Sequence, residues 1–283
     1  MTQRCDPNGP GRQHFVSLND TLVAVDSVLA KAVAILRAFA VDDTDLSLAE
    51  LVRRTGLHKA TAFRLCAQLV ELRLLEKSAV GYRLSAGMFE LGMRASVERS
   101  LLELAMPFLQ DLYERTHEVV HLGVREGHEV VYVAKLGGHR QVRSPSRVGG
   151  RMPLHCTALG KAFLAYDADL RREVLGGPLT RRTPHTVVEP RRLSRQLATV
   201  RQQQVAFERE ESALGLTCVA VPVLDRLDRP YAAISLAGPT TRFRPENHQH
   251  ALRAAGAAVG ALVARRQSTS GDGMSAPGTS PGR

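Results

Sequence analysis

The sequence predicts an α+β fold in two parts: a small helical module closed by a short hairpin, and a larger domain of helices and antiparallel strands. Two observations carry this. Between Leu48 and Leu84, two amphipathic helices flank Thr55-Gly56 and lead into two short apolar runs. From Glu118 onward, period-two strand patterns alternate with segments of helical period.

Taken in order, residues 1–19 are rich in Pro, Gly, Asn and Arg, show no apolar period and read as a disordered arm. Val25–Phe39 predicts a helix with Val25, Val28, Leu29, Ala32, Val33, Leu36 and Phe39 on one stripe. Asp42, Asp43 and Asp45 make an acidic loop, a poor neighbour for phosphate. Ser47 and Glu50 have the spacing of a capping box. Leu48, Leu51 and Val52 give the helix they open one apolar face, and Gly56 stops it. In the next helix Ala62, Leu65, Cys66 and Leu69 face inward, with Lys59, Thr61, Arg64 and Gln68 on the other side. Leu74–Lys77 and Tyr82–Leu84 predict two strands around the turn Ser78–Gly81. This is the layout of a winged helix-turn-helix over residues 20–84.

Charge gives that module a direction. Its core stretch carries Arg53, Arg54, Lys59, Arg64, Arg73, Lys77 and Arg83 against Glu50, Glu71 and Glu76. The whole chain, 283 residues long, has a formal net charge of +10. Both favour a polyanionic partner, with phosphate contacts supplying non-specific affinity. The length allows two domains with separate cores. No apolar run is long enough to span a bilayer, and the first residues lack the apolar core of a signal peptide. The expected location is therefore the cytoplasm. Cys5, Cys66, Cys156 and Cys218 are isolated and read as reduced thiols, with no metal site and no cofactor expected.

The linker and second domain follow. Residues 85–106 predict a linker helix, and Pro107 predicts a new helix beginning near Met106. Residues 107–267 form the second domain, and 268–283 read as a disordered tail. Val120, Leu122 and Val124 alternate with His121 and Gly123 as a strand, Glu126-Gly127 turns, and Val130–Leu136 is the partner strand. A looser segment holds Arg140, Gln141, Arg143, Ser144 and Arg147. Helices are predicted at Thr157–Tyr166, Leu170–Leu175, Arg191–Gln203 and Asn247–Arg265, the last with Leu252, Ala255, Val259 and Leu262 inward. Further strands are Val205–Phe207, Leu216–Val223 and Tyr231–Ala237, with Asp225–Asp228 turning between the last two.

Two motifs stand out: Pro-Leu-His-x-x-x-x-Gly-Lys-Ala from Pro153 to Ala162, and Glu-Glu-x-x-x-Gly-x-x-Cys-x-Ala from Glu210 to Ala220. With the helix-turn-helix, they make the chain resemble the IclR family of bacterial transcriptional regulators, from about Val25 to Arg265. The resemblance implies an N-terminal winged helix-turn-helix joined by a linker helix to a GAF-like α/β effector-binding domain. It also implies a DNA operator as partner, a small-molecule effector, and a homodimer or homotetramer. Thr157 as a helix cap would leave the amides of Ala158 and Leu159 free, and such a helix N-terminus attracts a carboxylate. In the family that position holds the effector's carboxylate. Its other polar contacts map onto Glu208, Cys218, Ser235 and Ala237, and its apolar wall onto Met152 and Leu216. The chain departs from the pattern at Gln204-Val205, where many members have Gly-Tyr, at Glu208, commonly Asp, and at Ala237, a Ser in the family. Ala237 removes a hydroxyl and implies a less polar ligand. Gln141 and Ser144 occupy wall positions that are apolar in some relatives.

The residues admit other roles. His155 reads as hydrogen-bonded within a tight turn, Cys156 as packing, Lys161 as surface, and Glu210 and Glu211 as solvated or paired with Arg. The Arg-rich segment 171–201 reads as surface or subunit contact. As a regulator, of the repressor type in this reading, the chain would read base edges with Thr61, Arg64 and Gln68 from the helix that Lys59 opens. Arg73, Lys77 and Arg83 would hold phosphates. As an enzyme acting on a small carboxylic acid, it would use His155, Cys156, Glu208 and Cys218, though no catalytic motif places them together. A sensor with a protein partner and no DNA is the third possibility.

Overall fold

The computed structural model describes residues 27–40, 43–94, 96–137 and 145–271. The N-terminal arm, Val25, Asp42, Arg140, Gln141, Arg143, Ser144 and the tail from residue 272 lie outside the described residues. The chain divides into two compact units, residues 1–95 and 96–283.

The first unit contains α1 (Val28–Arg37), α2 (Leu48–Thr55), α3 (Lys59–Glu71), β1 (Leu75–Lys77), β2 (Tyr82–Leu84) and α4 (Ala86–Gly92). Ser47 caps α2 by accepting from the Glu50 amide at 3.1 Å, as its spacing predicts, and Gly56 ends the helix at φ 69°. Leu51, Leu65, Cys66, Leu69, Leu75 and Tyr82 make one core. The stripe expected on α1 needs correction. Ile35 is its one fully buried residue, with Ala32, Leu36 and Phe39 packed beside it. Val28, Leu29 and Val33 are exposed. Apolar residues cover most of this short helix, so periodicity alone could not say which side α2 and α3 would take.

The second unit is a six-stranded antiparallel sheet in the order β5-β4-β3-β8-β7-β6. Its strands are β3 (Val119–Glu126), β4 (Glu129–Leu136), β5 (Arg151–Pro153), β6 (Ala206–Arg209), β7 (Leu216–Leu224) and β8 (Pro230–Pro239). Helix α5 (Ser96–Thr116) and helix α9 (Gln249–Gly271) pack on one face, against Val120, Leu122, Val219, Val221, Ile234 and Leu236. Helices α6 (Ala158–Tyr166), α7 (Ala168–Gly176) and α8 (Pro190–Gln203) belong to the core on the other face.

Two helix boundaries differ from expectation. Pro107 starts no helix; α5 runs through it. An internal proline costs about 3 kcal/mol. Leu101, Ala105, Leu109 and Leu112, all buried on the sheet, offset that loss. The break in the linker falls instead after α4. At the other end, α9 continues to Gly271, past the point where the tail was expected to begin. Within α9, Val263 is buried and Leu262 is only half-buried.

Helix α6 sits unusually close to the chain that precedes it. A Cβ on Gly160 would lie 2.1 Å from the Leu154 carbonyl oxygen. Gly160→Ala should therefore destabilise the chain by roughly 3 kcal/mol, because backbone cannot yield as a side chain does. Gly176, at the end of α7, has open space around it, and Gly176→Ala should change stability by less than about 0.5 kcal/mol. Urea unfolding of the two variants measures the difference.

Candidate functional site

In the first unit, Lys59 stands at the start of α3, with Arg64 and Gln68 exposed and Thr61 half-buried along the helix. Arg73, Lys77 and Arg83 are exposed around the hairpin. The basic excess that sequence alone suggests is narrower in three dimensions. Arg54 is engaged by Asp43 and Glu50, and Arg53 by Glu50 at 2.5 Å. These arginines hold Glu50 down at about 2 and lower Asp43 as well. Arg83 pairs with Glu76 at 2.6 Å. Lys59, Arg64, Arg73 and Lys77 have no ion-pair partner among the described residues, so their charge faces outward uncompensated. Arg73 adopts φ 57° just beyond α3, so its side chain is presented from a left-handed turn.

In the second unit, strand registers bring the candidate residues onto one face of the sheet. Cys218 pairs with Ala237 and with Glu208, and Ser235 with Ala220 and His121. Met152 pairs with Val130 on the far side of the sheet. Leu216 and Ala237 pack together with Cys218 against them. Ala158 and Leu159, at the start of α6, belong to the core cluster that contains Met152. A Cβ on Gly123 would lie 3.1 Å from Leu159 Cδ1, so Leu159 lies directly over β3. Seven of these eight residues are buried and Cys218 is half-buried.

The helix start has the geometry its cap predicts. Thr157 is extended, and its hydroxyl oxygen accepts from the Gly160 amide at 3.1 Å. The Lys161 amide donates to the Thr157 carbonyl at 2.9 Å. The amides of Ala158 and Leu159 meet no acceptor among the described residues, so the positive end of α6 is open to an anion.

Glu208 lies on the same sheet face, opposite Cys218. Its Oε1 accepts from the amides of Glu211 at 2.6 Å and Ser212 at 3.0 Å. The Cys218 thiol borders the carboxyl, yet among the described residues no donor meets the buried Oε2 in hydrogen-bond geometry. Burial pushes the Glu208 carboxyl up to about 7, against the lowering effect of the thiol and the two amides.

Three residues that the sequence reading missed complete this face. His121, read as the polar phase of an alternating strand, is buried because β3 is covered on both sides. Its Nε2 is 2.7 Å from Ser146 Oγ and its Nδ1 is 3.3 Å from Ser235 Oγ. Its ring meets Tyr132 edge-on at 5.1 Å. Burial, and then Lys135, lower the imidazole to about 3, so it is neutral at physiological pH. A histidine on the sheet phase that pairs with Ser235 was the available signal.

The motif residues also resolve. His155 reaches the Thr180 carbonyl through Nε2 at 2.9 Å, so its partner is a distant segment and not its own turn. Lys161 is not on the surface; it is buried with Glu211. Glu210, itself at φ 55°, accepts from the Gly215 amide at 2.8 Å, and Gly215 takes φ 76° to close that loop. Two open grooves, of about 420 and 310 Å³, flank this domain, and the larger is lined by Lys161, Gln196, Phe207 and Glu211. One runs between α8 and β6 beside Arg192 and Phe207, the other between α9 and β7 beside Gly256 and Arg253.

Comparison with known proteins decides the family. A family model described as "Bacterial transcriptional regulator IclR C-terminal" matches residues 93–262, and one described as "IclR helix-turn-helix domain" matches residues 28–79. The chain belongs to the IclR family. It is 35% identical over 228 residues to the HTH-type transcriptional regulator KdgR of Dickeya chrysanthemi, covering 79% of this chain and 74% of the relative. It is 30% identical over 246 residues to the transcriptional repressor IclR of Escherichia coli K12, covering 84% and 88%. An IclR homolog from Microbacterium hydrocarbonoxydans, solved in complex with 4-hydroxybenzoate, superposes with a TM-score of 0.79 at 31% identity, over 84% of this chain and 99% of that one. The Thermotoga maritima IclR structure superposes with a TM-score of 0.70 at 28% identity, over 83% and 98%.

As an IclR family member the chain is a DNA-binding transcriptional regulator and not an enzyme. Its thiols agree with that. Burial raises Cys66 to about 11 and Cys156 to about 12, and burial with Glu208 beside it raises Cys218 well above the usual thiol range, so none of the thiols among the described residues is an activated nucleophile. No helix among the described residues is long and apolar enough to cross a membrane.

Glu208 yields a pH test. A carboxyl raised to about 7 from 4.5 favours the folded state fully below pH 4.5 and loses that contribution as pH rises through 7. The loss is at most on the order of 3 kcal/mol. His121 has the opposite slope below its ordinary value, so the variant difference is the quantity to follow. Glu208→Gln should gain stability relative to the unmutated chain as pH climbs from 4.5 to 7.5. A difference that stays constant by urea unfolding across that range would contradict a raised Glu208.

Proposed function

We propose that this regulator senses a small organic or aromatic acid carrying a hydroxyl group, and that it acts as a repressor whose operator affinity the acid changes. The observation that carries the reading is the open N-terminus of α6 over the sheet face that also carries Glu208, whose buried Oε2 has no hydrogen-bond partner among the described residues. Two free amides suit a carboxylate. A carboxyl oxygen without a donor suits a ligand hydroxyl. Met152, Leu159, Leu216, Ala237 and Tyr132 supply the apolar wall between, and Ser235 with His121 a further polar pair. The relative solved with 4-hydroxybenzoate carries a ligand of this class.

On the output side, α3 enters the major groove. Thr61, Arg64 and Gln68 face base edges, and Lys59, Arg73, Lys77 and Arg83 approach phosphates. Arg83 contributes least, because Glu76 already neutralises it. The regulator assembles as a homodimer or homotetramer, so that paired modules read a near-palindromic operator.

Arg64→Ala should lower affinity for the operator by about 10-fold or more while leaving random DNA nearly unaffected, a loss of roughly 1–3 kcal/mol of discrimination. Lys77→Ala should weaken both alike and reduce the salt slope by about one. Equal losses on both DNAs for Arg64→Ala, in fluorescence anisotropy, would remove it from base readout. For the sensor, a thermal-shift screen of hydroxybenzoates and short hydroxy acids should find ligands that raise the melting temperature. Ser235→Ala should weaken the best of them while the free protein stays folded, its melting temperature lowered only by loss of the His121 contact; unchanged affinity by calorimetry would take Ser235 out of the site.

A further inference from the structure

The two motifs that mark the chain's second domain meet in space at a buried ion pair. Lys161 and Glu211 are joined at 2.5 Å, with side chains 1% and 7% exposed. Lys161 Nζ also donates to Gln196 Oε1 at 3.1 Å and to the Phe207 carbonyl at 3.4 Å. An ammonium has three donors, and all three are used. The ion therefore has a fixed place among α6, α8, β6 and the loop that follows β6.

What the pair joins is more informative than the pair itself. Lys161 lies one helical turn beyond Ala158 and Leu159, whose amides are open. The Glu211 amide donates to Glu208 Oε1, so the residue that holds Lys161 by its side chain holds Glu208 by its backbone. The loop is fixed from the other side as well. Thr186 Oγ1 donates to the Glu211 carbonyl at 2.7 Å, and Thr183 Oγ1 to the Glu210 carbonyl at 2.6 Å. Stability is a poor reason for such a pair, because apolar residues of similar volume would hold the fold as well. A directional tripod between two halves of a site supplies something apolar packing does not, a fixed register.

We infer that Lys161 and Glu211 are positioning residues of the effector site, setting the carboxylate-binding end of α6 at a fixed spacing from Glu208. This rests on the effector site as assigned above. The pair is assigned no contact with the ligand; it lines the groove between α8 and β6. Without the pair, α6 and the loop after β6 keep their packing but lose their common reference, and a ligand that must engage both ends finds one of them displaced.

The test uses the full chain and the variants Lys161→Met, Glu211→Gln, the double variant, and Gln196→Ala. The last removes one acceptor of the tripod from a half-buried helix position and leaves both charges in place. Three quantities are read: melting temperature, hydrogen exchange of the peptides covering 155–163 and 206–214, and affinity for 4-hydroxybenzoate by calorimetry. Positioning predicts that each single charge variant weakens the probe by 10-fold or more, and Gln196→Ala by about 3-fold. It predicts faster exchange confined to those two peptides in every variant. In the double variant the melting temperature should recover toward that of the unmutated chain while the affinity stays low. If binding recovers together with the melting temperature, or if Gln196→Ala changes neither exchange nor affinity, the pair is structural and the inference is overturned. If the unmutated chain does not bind 4-hydroxybenzoate, the ligand assignment is what fails. The paired exchange signature in Gln196→Ala then decides the positioning role by its presence or absence.

Discussion

The second domain depends on how closely helix α6 approaches the segment that leads into it. Gly160 lies against the Leu154 carbonyl with no room for a side chain. That contact lets the first turn of α6 lie flat over the sheet, with Leu159 on Gly123. The cap at Thr157 then takes the third amide of the turn and leaves the first two. A larger residue at 160 would lift the helix, and its two open amides, away from β3. The same segment is fastened sideways by His155 to Thr180. Close packing here carries a helix end with two open amides into the protein interior.

Much of this was legible in the sequence, for identifiable reasons. The caps at Ser47 and Thr157, the stop at Gly56 and the hairpin turns are local chemistry, and local chemistry reads directly from adjacent residues. The six candidate effector positions on strands share one sheet face, and Ala158 and Leu159 start the helix over it; the resemblance carried that register, which composition could not. What was not legible is what depends on distant partners. His121 has the appearance of a solvent-facing strand residue until β3 is seen to lie between two cores. Lys161, a charge on a helix, reads as exposed until Glu211, fifty residues away in sequence, is brought to it. Pro107 reads as a helix start until the apolar residues around it are seen to hold α5 against the sheet.

The DNA-binding unit teaches a related lesson about charge. A tally of basic residues treats Arg53, Arg54 and Arg83 as equals of Arg64. The structure spends the first three within the module, where they tie Glu50, Asp43 and Glu76 and fix the approach of α2 and the shape of the hairpin. The remaining cations are fewer but unopposed, and they lie on α3, its terminal turn and β1. Net charge therefore overstates the strength of the interface while it identifies the right unit.

Strand β8 has a further consequence. Its residues alternate between two interiors: Ala233, Ser235 and Ala237 face the candidate site, while Ala232, Ile234 and Leu236 face α5 and α9. The sheet is thus a single wall with two tenants and no solvent-exposed side on which strain could dissipate. Pressure on the Ser235 side of β8 would reach, through Ile234 and Leu236, the packing of α5 on the opposite face. In a close-packed interior such pressure has nowhere to go except into movement of the neighbouring element.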